Sequence, residues 1–163
     1  MFKTAIGQDS HRFEPEGSAK PLMLGGVEIS GCPGLMGNSD ADVILHAITN
    51  AVSGISGVNI LGKTADDLCL KQGITDSRVY LRKALDTLKQ YRIIHVSLSI
   101  EGKRPNLEPH INDIKKSLAA LLSLSPLDIG LTATTGEGLS EFGRGNGIQV
   151  FALITVQETD NKV

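Results

Sequence analysis

Val43, Ile44, Ala47, Ile48, Ala51, Val52 and Ile55 recur at helical spacing and form one apolar stripe, the clearest periodic signal in the chain. Ser39 or Asp40 is placed to cap this helix, Asp42 falls in its first turn, and Gly54 and Gly57 mark its end. A second helix is predicted over Ser77 to Tyr91, opened by Asp76, with Leu81, Ala84, Leu85 and Leu88 inward. Ile94, Val96, Leu98 and Ile100 alternate with His95, Ser97, Ser99 and Glu101, the period of a strand with one buried face. Pro109 suits the first turn of a third helix carrying Ile111, Ile114, Leu118, Leu121 and Leu122.

Strands are also expected at Phe2 to Asp9, at Pro21 to Ile29 with a bend or bulge at Gly25-Gly26, and at Ile129 to Ala133. Between Ser30 and Asn38 the chain is turn-rich. A last strand, Gly147 to Val156, is apolar on both faces, so its second face calls for cover, another subunit being one source. The predicted order is ββααβαββ: an α+β domain of two-layer α/β type, with a mixed sheet covered on one side by helices. No repeat, low-complexity stretch or linker interrupts it, so residues 1–163 read as one domain.

Composition narrows the partners. A net charge of −2 gives no electrostatic case for nucleic acid or an anionic membrane. Four Phe, two Tyr and no Trp leave little for stacking on bases. No apolar run approaches the roughly 20 residues that span a bilayer, and Met1 to Gly7 has no leader-like apolar region. Cys32 and Cys69 lack framework spacing and read as two reduced thiols of a cytoplasmic protein.

Candidate chemistry starts at Asp9-Ser10-His11. In an extended chain residues i and i+2 point the same way, so carboxylate and imidazole share a side. His46 lies off its helix's apolar stripe, with Asp42, Asn50 and Ser53. Two imidazoles and a carboxylate make a three-ligand set with a position left open, as in catalytic zinc sites. Taken singly, an Asp-x-His at a strand end is also an ordinary turn and a polar-face histidine an ordinary solvated one. His95 and His110 read as structural. Ala133-Thr134-Thr135-Gly136-Glu137-Gly138 offers hydroxyls, backbone N–H groups and a carboxylate to a phosphate with bound Mg²⁺. Gly143-Arg144-Gly145 offers a guanidinium fork, and the loop from Gly102 follows a strand as a base-reading loop would. Glycine-rich turns and ordinary connecting loops have the same composition.

The order of these segments is more specific than any one of them. Asp9-Ser10-His11-Arg12-Phe13, Leu24-Gly25-Gly26-Val27, Ser39-Asp40-Ala41-Asp42 leading to His46-Ala47, Asp76-Ser77-Arg78, Arg104-Pro105-Asn106-Leu107, Ala133-Thr134-Thr135 and Gly143-Arg144-Gly145 follow one another from Ile6 to about Val156. The series resembles the 2-C-methyl-D-erythritol 2,4-cyclodiphosphate synthase family. The resemblance implies a homotrimer with active sites between subunits. It implies cyclisation of 4-diphosphocytidyl-2-C-methyl-D-erythritol 2-phosphate with release of CMP, in non-mevalonate isoprenoid precursor synthesis. Asp9, His11 and His46 would hold a zinc-like ion, and Glu137 a Mg²⁺ or Mn²⁺ on the diphosphate. Thr135 would contact the phosphates, Ser39 and Asp67 the methylerythritol part, and Ser10 the substrate. Gly102, Lys103, Arg104, Pro105, Asn106, Leu107, Ala133 and Thr134 would form the cytosine pocket. Arg144 would lie near the mouth of a central cavity that accepts an isoprenoid diphosphate.

The chain departs from that pattern in three places. Asn38 replaces a frequent histidine of a loop over the substrate; it hydrogen-bonds but does not titrate near neutral pH, so it would position rather than transfer protons. Ile60 replaces a ribose-contacting aspartate, leaving the contact to the backbone of Ile60, Leu61 and Gly62 or to Asn59. The segment Gly136 to Phe142 also differs, although Glu137 and Arg144 keep their places. Two other functions share the residue set: a metal-dependent nucleotide phosphohydrolase, and a non-catalytic trimeric module binding a nucleotide or isoprenoid diphosphate.

Overall fold

The computed structural model describes residues 1–159. Strand β1 (Phe2–Arg12) pairs antiparallel with the last strand, β6 (Gly147–Glu158), in a register that sets Asp9 opposite Val150. Strand β4 (Tyr91–Glu101) lies antiparallel on the other side of β6, and β5 (Ile129–Thr134) runs parallel to β4. The sheet is therefore mixed, in the order β1-β6-β4-β5. Helix α4 (Ile111–Leu122) makes the crossover that a parallel pair requires.

The remaining strands, β2 (Leu22–Leu24) and β3 (Val27–Ile29), form a separate hairpin. Here the expectation of one bent strand is corrected: Gly25 and Gly26 both have positive φ, 63° and 79°, and make a two-residue turn, not a bulge.

Helix α1 (Val43–Ser56) ends at Gly57 in a left-handed C-cap. Its N-cap is Asp42 itself, whose carboxylate accepts the N–H groups of Ile44 and Leu45, not Ser39 or Asp40. The same carboxylate accepts the N–H groups of Gly25 at 2.8 Å and Gly26 at 2.6 Å, so one buried side chain ties the hairpin to the start of the helix. Burial pushes this carboxyl up, against the pull of the N–H bonds from Gly26, Leu45 and Gly25.

Helix α2 (Lys63–Gln72), closed by Gly73, was not expected; its mixed polar sequence carries a weak apolar stripe, with only Ala65, Leu68 and Cys69 buried. Helix α3 (Ser77–Leu85) is shorter than expected. Turns at Thr87 and Leu88 and a left-handed Lys89 stop it, and Tyr91 to Ile93 join β4 because their backbones pair with Glu158 to Val156 of β6.

Val96, Leu98, Ile100, Ile148, Val150, Ala152, Ile154 and Val156 face the helices and are buried. On the opposite face Ile6, Phe151 and Leu153 are 64%, 41% and 42% exposed, and no helix among the described residues covers them. The two-layer expectation holds, and the last strand's second apolar face is left open by the described residues of the single chain.

Candidate metal centre

Gly7 decides how closely α1 lies on β1. A Cβ at this position would sit 2.1 Å from the carbonyl oxygen of Ala47 and 2.3 Å from the nitrogen of Ala51. Backbone meets backbone there, and two residues later Asp9 reaches the helix beside His46. The polar side of α1 is turned mostly inward: Asp42, His46 and Ser53 are buried, His46 being 8% exposed, and Asn50 is half-buried.

Three ligand atoms converge. Asp9 Oδ2 lies 2.9 Å from His46 Nδ1 and 3.0 Å from His11 Nε2, and the two ring nitrogens are 3.1 Å apart. A tetrahedral ion with bonds of about 2.0–2.1 Å requires ligand atoms at roughly this separation, and the donor set of one carboxylate and two imidazoles suits zinc. Among the described residues this trio forms a possible metal site. Burial opposes ionisation of Asp9, yet the contacts with the His11 and His46 rings outweigh it and hold the carboxyl well below the usual carboxylate range.

The trio opens into a cavity of about 320 Å³ lined also by Gly37, Asn38, Ser39, Leu61, Gly62, Asp66 and Tyr80. Of these, Asn38, Ser39, Leu61 and Gly62 were expected at a site. Asp66, Tyr80, Asn50 and Cys69 were missed. Asn50 stands one helical turn after His46, a legible signal; the α2 residues were hidden because that helix was not expected.

A second cavity, also about 320 Å³, is lined by Gly102, Lys103, Pro105, Asn106 and Leu107 together with Ala133, Thr134 and Thr135. These residues were expected to act together, and the structure gathers them. Gly102 donates its N–H to the Thr134 carbonyl, which holds the loop to the end of β5. Gly136 has a φ of 67°, and a Cβ there would sit 2.2 Å from Glu101 Oε1, so the turn after Thr135 is closed to other residues.

Other expected residues lie apart. Arg104 stacks over the Phe13 ring and pairs with Glu16 at 2.6 Å. Ile60 points into the core. Asp67 pairs with Lys71 at 2.8 Å while its neighbour Asp66 lines the metal cavity. Ser10 lines a third cavity with Arg12, Glu141 and Phe142. Glu137 is exposed, in a left-handed conformation at φ 47°. Arg144 is held by Glu141 at 2.7 Å. Neither His95 nor His110 belongs to the metal-ligand cluster.

A mixed sheet backed by helices, with an Asp-His-His cluster in the wall of an open cavity, defines a compact α+β domain built around a candidate metal centre. The chain belongs to the YgbB family, whose model matches residues 2–157. The curated 2-C-methyl-D-erythritol 2,4-cyclodiphosphate synthase of Chlamydia felis is 47% identical over 159 residues, which cover 97% of this chain and 90% of that protein. The bifunctional IspDF from Campylobacter jejuni superposes with a TM-score of 0.87 at 29% identity, covering 98% of this chain; the match spans only 43% of that longer protein. A CDP-bound 2C-methyl-D-erythritol-2,4-cyclodiphosphate synthase superposes with a TM-score of 0.76 at 32% identity, covering 95% of this chain and all of that one.

Proposed function

We propose that this enzyme converts 4-diphosphocytidyl-2-C-methyl-D-erythritol 2-phosphate into 2-C-methyl-D-erythritol 2,4-cyclodiphosphate and CMP, as one cytoplasmic domain of the non-mevalonate isoprenoid route. The observation that carries this reading is the convergence of Asp9, His11 and His46 in an open cavity, in a chain this similar to named synthases.

In the reaction an oxygen of the substrate's 2-phosphate bonds to the β-phosphorus, the bond from that phosphorus to the bridging oxygen breaks, and CMP departs. Both partners belong to one molecule, so the protein needs no nucleophile of its own. Its task is to bring two anionic groups together and neutralise them. A divalent cation held by Asp9, His11 and His46, zinc-like by its donor set, and a Mg²⁺ or Mn²⁺ met by Glu137 would supply Lewis acidity.

The remaining work falls to the chain. Ser39 and Asp66 line the cavity that would take the methylerythritol part, with Asp67 one residue further along α2. Asn38 stands at the same wall as a positioning donor without a titrating proton. The backbone of Leu61 and Gly62 would meet the ribose. Gly102 to Leu107, with Ala133 and Thr134, would read the cytosine, and Thr135 at the edge of that cavity would reach the phosphates.

The two cavities belong to opposite edges of the sheet. Asp9 pairs with Val150, Val150 with Ile100 and Ile100 with Ala133, so three inter-strand steps of about 4.8 Å, roughly 14 Å, lie between them, with core in the way. This separation and the open apolar face of Ile6, Phe151 and Leu153 support a trimer in which neighbouring copies complete one active site. Arg144, occupied by Glu141, would take an isoprenoid diphosphate only by exchanging partners.

Phosphorus NMR of the protein with substrate, Zn²⁺ and Mg²⁺ tests the reading. A cyclic diphosphate and one CMP per turnover are expected. A linear phosphate product would make the protein a phosphohydrolase, and binding without CMP release would make it a non-catalytic module.

A further inference from the structure

Ser77 lies behind His46, fully buried at the first turn of α3. Its Oγ touches two groups, Nε2 of His46 at 2.9 Å and Oδ1 of Asp40. Asp40 is fixed in turn. Its Oδ2 accepts the Ser77 backbone N–H at 3.1 Å, its Oδ1 accepts the Asp42 N–H at 3.3 Å, and its own N–H donates to the Thr75 carbonyl at 2.8 Å. Neither Ser77 nor Asp40 lines the metal cavity.

A serine hydroxyl carries one proton, and a carboxylate only accepts. The Ser77 proton therefore goes to Asp40, and the lone pair left on Oγ can be met only by a proton on His46 Nε2. A neutral imidazole protonated at Nε2 has a bare Nδ1, the atom turned toward Asp9 and His11. The other tautomer would put a hydrogen where an ion must bind. We propose that Ser77 and Asp40 are positioning residues that fix His46 in its ligating tautomer, so that the centre is set before any ion arrives. The inference rests on Asp9, His11 and His46 being the metal centre, and adds two residues that act on it only through His46.

Asp40→Ala separates this role from simple packing. Without the carboxylate, the Ser77 hydroxyl has His46 Nε2 as its acceptor. That reverses the relay: the hydroxyl now donates to Nε2, and the His46 proton moves to Nδ1, toward the Asp9 carboxylate 2.9 Å away. Long-range ¹H–¹⁵N NMR on metal-free, ¹⁵N-histidine-labelled protein at about pH 9, well above the pKa of about 6.5 of a free imidazole, reads the tautomer directly. The expected result is a proton on Nε2 in the wild type and on Nδ1 in Asp40→Ala. Competition for Zn²⁺ with a chromogenic chelator should show affinity about 10- to 100-fold weaker in Asp40→Ala and Ser77→Ala, with Ser77→Thr restoring most of it.

A proton on Nδ1 in the metal-free wild type would overturn the proposal, and this measurement needs no variant to fold. Unchanged tautomer and Zn²⁺ affinity in Asp40→Ala would overturn it equally. If the wild type itself takes up no Zn²⁺, the metal-centre reading fails; if it does and Asp40→Ala binds as well, the relay alone fails.

Discussion

Asp42 shows how much one buried side chain does here. Its carboxylate is the acceptor for four backbone N–H groups, two in α1 and two in the hairpin turn. Asp42→Ala would strip the helix cap and leave donors buried without partners, a loss of about 3 kcal/mol. Urea unfolding should show a midpoint lowered accordingly, whereas Asp42→Asn, which keeps one acceptor, should lose less. Ala41, immediately before it, is buried at φ 54°, a conformation that costs an L-residue energy and is held by its neighbours. That bend sets Asp40 toward Ser77 while Asp42 turns to the hairpin, so two carboxylates two residues apart serve different elements.

Between elements, the contact of α1 on β1 carries most of the site. Gly7→Ala would drive a methyl group into the α1 backbone, which cannot yield as a side-chain end can. We expect a loss of about 3 kcal/mol or more by thermal unfolding, and Zn²⁺ binding weakened because Asp9 and His46 part. Helix α3 carries a separate, pH-dependent term. The Arg78 side chain holds the Asp76 carboxyl below its usual range, against burial. A folded-state value below the unfolded one, about 3.9, stabilises above that unfolded value, and the gain is lost as pH falls through the folded one. The difference in Tm between wild type and Asp76→Asn should therefore be largest near neutral pH and vanish in acid. The apolar stripe of α1 and the alternation of β4 made those elements legible in the sequence. Helix α2 was not, since Lys63, Thr64, Asp66, Asp67 and Lys71 leave little periodicity to read. The end of α3 was obscured because Leu85 and Leu88 continue a helical spacing that strand pairing at Tyr91 overrides. The metal trio was legible as residue types. That His46 faces inward was not, because the small residue that brings the strand close, Gly7, lies 39 positions away in sequence.

For the whole molecule, the open sheet face and the separated cavities make one prediction together. Phe151→Glu would place charge in the face that neighbouring copies would share. Sedimentation should then report monomers and CMP release should fall steeply, while each chain still takes up Zn²⁺, because the trio lies within one chain. Retained activity in a monomer would show that one copy suffices. The claim on which everything else depends is that Asp9, His11 and His46 hold the ion that makes the phosphates react. It is tested most directly by measuring bound metal and CMP release on the same preparations of wild type and His46→Ala. One divalent ion per chain is expected in the wild type, none at this site in His46→Ala, and a fall in CMP release of roughly a thousandfold. Full CMP release from metal-free His46→Ala would contradict it.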